Sequence, residues 1–131
     1  MGLFTVGCRV ENHHDPKKFA ALPRIMVDTG SEFTWIDGAT LEKIGIEARK
    51  KDLQIQMANG QIITRSVGYA ILKVGSSETI DEVVFAQKGD LLLLGCRALK
   101  GLNLRVDSRN KRLVAAGPII AATAIKPRTK L

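Results

Sequence analysis

The order of apolar and turn-forming residues predicts an all-β domain, a barrel or sandwich of short strands with one or two short helices. Three observations carry that expectation. Short apolar or alternating segments recur along the whole of the 131 residues. Turn-forming residues separate them at regular intervals, among them Asn59-Gly60 and Gly75-Ser76-Ser77. Helical spacing is confined to two brief stretches, after Asp37 and around Ala98-Leu99.

The first strand is expected over 2–10, followed by a polar turn over 11–18 that holds His13 and His14. Two adjacent histidines without further ligands nearby read as surface residues rather than a metal site. Residues 19–27 rise into Ile25-Met26-Val27, and apolar character returns at Phe33-Thr34-Trp35-Ile36. Trp35 is expected to pack in the core. Asp37 can cap a short helix in which Leu41 and Ile44 share one face, with Gly45 as its stop. Leu53 to Met57 and Ile62-Ile63 flank Asn59-Gly60, a strong hairpin signal whose simplest form is a two-residue type I′ turn. Strand character resumes over 67–74 and from Ile80 to Phe85. After the break at Gln87–Asp90, Leu91-Leu92-Leu93-Leu94 reads as a buried strand ending on Gly95. Leu104-Arg105-Val106 and Arg112-Leu113-Val114 bracket a polar turn, and an apolar stretch from Gly117 precedes a basic end.

Bulk properties limit the functions open to the chain. A single domain of this length buries about two-thirds of its unfolded surface and needs no disulfide or metal to hold a core. Composition is that of a soluble globular protein, at 45% hydrophobic and 25% charged residues. The net charge is +7, but Lys126, Arg128 and Lys130 supply three of those charges in the last six residues. The division expected is a domain over 1–125 and a basic tail over 126–131. With Arg105, Arg109, Lys111 and Arg112 straddling a turn, the excess reads as solvated surface rather than a nucleic-acid site. Sparse aromatics argue against stacking on single-stranded nucleic acid. Cys8 and Cys96 stand alone, with no metal-binding or disulfide spacing, which favours a reducing, cytoplasmic setting. No signal peptide, transmembrane segment or myristoylation motif is evident, since Val6 stands where the last would need Ser or Thr. No cofactor or metal is expected.

The chemistry concentrates in Ile25-Met26-Val27-Asp28-Thr29-Gly30-Ser31. An apolar strand here delivers a carboxylate into a tight glycine turn that also carries two hydroxyls. An aspartyl-phosphate enzyme also places Asp after a strand, but needs a second acid two residues on, where this chain has Gly30. The loop resembles the active-site loop of an aspartic protease. Together with Trp35, the Asn59-Gly60 hairpin and Leu93-Leu94-Gly95, in that order, it resembles the single-domain, retropepsin-like aspartic proteases over about residues 20–114.

The resemblance implies a closed retropepsin-like barrel and a twofold homodimer, because one chain carries only one such loop. Two carboxylates held face to face share one proton. The ionised member takes a proton from a water between them while the other donates to the scissile carbonyl oxygen. By that resemblance Asp28 supplies the carboxylate and Thr29 bonds across the two loops. Gly30 permits the tight turn, and the Ser31 hydroxyl donates to the outer oxygen of Asp28. Met57, Ala58, Asn59, Gly60 and Gln61 form a flap that closes over an extended peptide. Leu93, Leu94 and Gly95 pass beneath the loop. The apolar terminal segments, Leu3-Phe4-Val6 and Pro118 to Ala124, suit the dimer interface, since they lack an obvious intrachain reason to be apolar.

The chain also departs from the viral pattern. Cys96 follows the second glycine where viral members often carry Arg, and Arg97 is displaced by one. Glu32 holds the acidic position that such an Arg pairs with, and Cys96 is expected to be a small buried residue. The flap has no tyrosine, Tyr69 lying on the returning strand. A retropepsin-like dimerisation or peptide-binding module without activity is the competing reading, since fold does not imply function. A small basic nucleic-acid binder is a third, distinguished by steep salt dependence.

Overall fold

A computed structural model describes residues 4–121. Leu3, residues 122–124 of the apolar C-terminal segment and the basic tail over 126–131 lie outside them. Strand β1 (Thr5–Glu11) runs antiparallel to β2 (Phe19–Val27) across the polar turn. The register shifts between Val6 and Cys8, opposite Pro23 and Arg24. Pro23 has no N–H to give a ladder, so the strand accommodates it by an extra residue.

After the Asp28 loop, β3 (Thr34–Asp37) leads directly into α1 (Gly38–Lys43). The Asp37 carboxylate accepts the Thr40 N–H at 3.2 Å, capping the helix. Gly45, at φ +79°, donates to the Glu42 carbonyl, and Ile46 donates back to Leu41. That is a Schellman ending, closed by the buried pair Leu41 and Ile46.

Strands β4 (Lys50–Gln56) and β5 (Ile62–Val74) form the hairpin, and β6 (Ser77–Ala86) pairs along β5 from Val67 to Val74. Asp52, at φ +56°, takes up an extra residue in β4 between the Lys50 and Leu53 pairings. The segments at 62–63 and 67–74 are therefore one 13-residue strand. Next come β7 (Leu93–Leu94), α2 (Cys96–Leu102) and a separate hairpin of β8 (Leu104–Asp107) and β9 (Arg112–Ala115).

The sheet order is β1-β2-β7-β3-β6-β5-β4, with β1 also paired to β5. The run of ladders from β1 to β5 thus returns to β1. Two of its pairings, β2 with β7 and β3 with β6, are parallel. The principal core gathers Val10, Ile25, Val27, Ile36, Leu41, Leu72 and Leu94 with Leu99 of α2. A second cluster joins Trp35, Val67, Val84 and Leu93, so the indole is indeed buried.

Two expectations from the sequence need correction. Leu91 and Leu92 are not part of a buried strand: they are 65% and 46% exposed. The Asp90 carboxylate accepts the Gln87 N–H and closes a turn, so the chain reaches the β2 ladder only at Leu93. Phe4 and Val6 also have an intrachain reason to be apolar, because both pack against the principal core. Ile119 and Ile120, in contrast, are 78% and 83% exposed.

Candidate active site

The buried residues Ile25 and Val27 anchor the end of β2. Val27 donates to the Phe4 carbonyl at 3.0 Å and lies beside Leu94 in the parallel ladder. Asp28 is the first residue past that strand, and its N–H still donates to the Leu94 carbonyl at 3.0 Å. The chain then turns sharply. Gly30 donates to Asp28 Oδ1 at 2.9 Å and Ser31 to the Asp28 carbonyl at 3.2 Å. A Cβ on Gly30 would lie only 3.2 Å from that same Oδ1, so glycine keeps the carboxylate seated on the backbone. Asp28 is half-buried, while Thr29 and Gly30 stand exposed at the tip.

Ser31 does not do what the resemblance implied. Its hydroxyl donates to the Phe33 carbonyl at 2.8 Å, within its own loop, and not to Asp28. The acceptor two residues ahead is brought close by the bend that returns the chain to β3. The hydroxyl therefore shapes the loop exit.

Leu93, Leu94 and Gly95 run alongside and behind the loop. Besides the Leu94 contact, Cys96 N–H donates to the Ser31 carbonyl at 2.7 Å and Arg97 N–H to the Glu32 carbonyl at 3.3 Å. Gly95 N–H donates to Thr34 Oγ1 at 3.0 Å. A Cβ on Gly95 would collide with the Phe33 carbonyl. Since Gly95 has ordinary extended backbone angles, glycine is required there by this close approach and not by φ. Thr34 was missed in the sequence reading. Its signal was a lone hydroxyl inside Phe33-Thr34-Trp35-Ile36, which must find a partner once buried.

Residues Met57 to Gln61 form the hairpin tip. Met57 N–H donates to the Gln61 carbonyl and Gly60 N–H to the Met57 carbonyl, both at 2.8 Å. Gly60 adopts φ +87° and is the one residue of the tip at positive φ. The turn is therefore a three-residue loop centred on Ala58-Asn59 with a left-handed glycine after it, not a type I′ turn. Asn59 Oδ1 accepts the Gln61 N–H at 2.9 Å, which holds Asn59 in the first part of the turn. Met57 is half-buried and the other four are exposed. Leu53, Ile55, Met57 and Ile63 of the hairpin pack against the Trp35 and Leu93 cluster, which also contacts Met26 and Phe33 at the ends of the Asp28 loop. Hairpin and loop thus share one apolar floor.

Arg97 does not reach the Glu32 carboxylate. Its guanidinium pairs with Glu82 at 3.2 Å and lies 5.1 Å over the Phe33 ring. Glu82 also receives Lys50 at 2.7 Å. Glu32 instead approaches Cys96 Sγ at 3.9 Å, and Cys96 is half-buried, more open than expected. His14 is exposed and His13 half-buried, their rings 4.1 Å apart. Among the described residues no three metal-ligating side chains come together, and no helix is long and apolar enough to cross a membrane.

Residues 23–101 match the family described as gag-polyprotein putative aspartyl protease. No curated protein matches the chain. Among solved structures, the retroviral protease-like domain of Ddi1 from Leishmania major is similar with a TM-score of 0.54. That likeness covers 88% of this chain and 89% of the other at 14% identity, and it shows the retropepsin-like fold.

Proposed function

The chain belongs to the retropepsin-like gag-polyprotein aspartyl protease family, and on that premise we propose that it is an aspartic endopeptidase acting as a twofold homodimer. The observation that carries the reading is the seating of Asp28. Its carboxylate is half-exposed, its Oδ1 is fixed by the Gly30 N–H, and its backbone is tied to Leu94. Such a group is held in place without being used up by a structural partner.

In the dimer two such loops face each other, and exposed Thr29 is placed to bond across them. One Asp28 takes a proton from the water between the carboxylates. The other protonates the scissile carbonyl oxygen as the water oxygen adds to its carbon. The first then gives its proton to the amide nitrogen while the second regains one from a diol hydroxyl, and the C–N bond breaks to acid and amine. The exposed tip Ala58–Gln61 closes over an extended peptide and excludes water. The apolar floor under the hairpin favours apolar side chains in that peptide. The catalytic domain is assigned to 1–125, its strands closing as a barrel through the β1–β5 pairing, and the exposed Ile119-Ile120 segment to the interface. The two free thiols fit a reducing, cytoplasmic compartment.

The turning of the Ser31 hydroxyl to Phe33 favours one competing reading, a peptide-binding module without activity. Cleavage of a mixed peptide library decides between them. The purified chain and its Asp28→Asn variant are compared from about pH 4 to about pH 7, with and without pepstatin, at several protein concentrations. Cleavage that rises faster than linearly with protein, is blocked by pepstatin and vanishes in the variant supports the dimeric protease. A demonstrably dimeric chain that cleaves nothing overturns it.

A further inference from the structure

Arg65 and Asp90 lie 25 residues apart and meet in a two-pronged ion pair. Arg65 Nε donates to Asp90 Oδ2 and Nη2 to Oδ1, both at 2.8 Å. The third guanidinium nitrogen, Nη1, donates to the Thr64 carbonyl at 2.8 Å. Asp90 Oδ2 also accepts the Gln87 N–H at 2.8 Å. The side chains are only 15% and 11% exposed, whereas each of the other ion pairs among the described residues has a partner at least 38% exposed. A fork-on-fork pair with every nitrogen engaged and little water around it fixes orientation as well as distance.

Its position gives the pair a task. Arg65 stands on the returning strand of the hairpin, opposite Leu53. Asp90 is the residue before exposed Leu91 and Leu92, and four residues on is Leu94, whose carbonyl holds the Asp28 N–H. One side chain pair therefore connects the stem of the hairpin with the segment that runs to the catalytic loop. The hairpin tip, in contrast, faces open space: a Cβ on Gly60 would meet nothing within 4 Å.

We propose that Arg65 and Asp90 are a positioning pair that holds the hairpin carrying the tip at Met57–Gln61 at a fixed spacing from the segment carrying exposed Leu91 and Leu92. Neither residue touches the reacting atoms. Their effect is on how tightly a peptide is gripped beneath the lid, and on how the exposed Leu91-Leu92 segment is presented to it. This rests on reading the hairpin as the lid of a protease, but the coupling itself does not require catalysis.

The test uses the full chain carrying Asp28→Asn, so that cleavage is irrelevant to its first arm. Hydrogen exchange is followed at residues 57–61 and 91–92 with and without Asp90→Asn. Exchange at both segments should rise together by roughly tenfold, the size expected when a charge-assisted hydrogen bond is lost. Arg65→Lys keeps the charge but loses the fork, and should act in the same direction on both. It also serves if Asp90→Asn does not fold. Faster exchange at one segment alone, or at neither, overturns the proposal. In the second arm, the same substitutions in the active chain should raise KM several-fold while leaving kcat within about twofold, as expected for lost ground-state grip. A fall in kcat at unchanged KM overturns it. Coupled exchange without any cleavage by the parent chain would retain the pair and remove the protease reading instead.

Discussion

The Thr34 hydroxyl accepts the backbone N–H of Gly95 at 3.0 Å across 61 residues of sequence, with both groups buried. The contact joins the strand leaving the Asp28 loop to the turn that supports it. Thr34→Val preserves shape and removes the acceptor, leaving a buried N–H unpaired. A loss of about 1–3 kcal/mol is expected, read from the urea midpoint. Thr34→Ser keeps the oxygen and should cost clearly less. If Val is tolerated as well as Ser, the hydroxyl is only filling space.

Gly95→Ala acts on the same junction by a different route. The new methyl would collide with the Phe33 carbonyl, a backbone atom that cannot rotate away. Overpacking of this kind costs about 1–3 kcal/mol. Relief requires the loop holding Asp28 to move, so the proposed cleavage activity should fall by up to about a hundredfold in protein that is still folded. Gly60→Ala is the contrast. It adds only the strain of φ +87° in open space, about 1 kcal/mol, and should not alter the geometry at Asp28.

These contrasts show which parts of the architecture could be read from residues alone. The Asp37 cap and the Gly45 stop were legible because both are local: a side chain reaching three residues ahead and a glycine at positive φ. The hairpin was legible for the same reason, though its turn class was not. Whether Asn59 or Gly60 alone goes left-handed depends on the hydrogen bond from Gln61 to the Asn59 side chain. The Asp28 loop stood out as an acid between an apolar strand and a glycine. The destination of the Ser31 hydroxyl did not, because Asp28 and the Phe33 carbonyl are both within its reach in sequence. Leu91-Leu92 looked like core since a leucine run carries no mark of where it leaves a sheet. That point follows the turn the Asp90 carboxylate closes on Gln87, and Arg65, 25 residues before, holds that carboxylate. Long-range ion pairs of this sort, like Lys50 and Arg97 on Glu82, leave no periodic trace.

The two thiols should differ sharply in reactivity. Cys8 is a buried residue of β1, and desolvation pushes its thiol up to about 11, against an opposing hydrogen bond from the Lys73 backbone. The thiolate is the reacting form, so at neutral pH Cys8 should be inert in the folded chain. Cys96 is half-buried beside the Asp28 loop, its N–H on the Ser31 carbonyl. A small alkylating reagent followed by mass spectrometry should find one thiol modified under native conditions, at Cys96, and two after denaturation. Native labelling of Cys8 at a comparable rate would mean that the β1–β2 region opens readily.

Acid stability offers a test where β1 joins β2 and β5. The Glu11 side chain is only 3% exposed, yet it is charged, with Arg9 Nε at 2.7 Å and Lys73 Nζ at 3.2 Å from the same oxygen. Burial by itself would raise its pKa, but the hydrogen bonds and charges of Lys73 and then Arg9 outweigh it and hold the carboxyl below its ordinary range. A carboxyl whose pKa is lower folded than unfolded adds stability that is complete above the unfolded value of about 4.3. That stability drains away as pH falls through the folded value. Glu11 sits where β1 pairs with both β2 and β5, opposite Phe19 and Ile71, so its protonation loosens the junction that returns the ladder on itself. Glu11→Gln should therefore be less stable than the parent at about pH 7, and should lose less on going to about pH 3, with the two unfolding curves converging in acid. Parallel curves across that window would show that Arg9 and Lys73 are no better placed around Glu11 than around the glutamine amide.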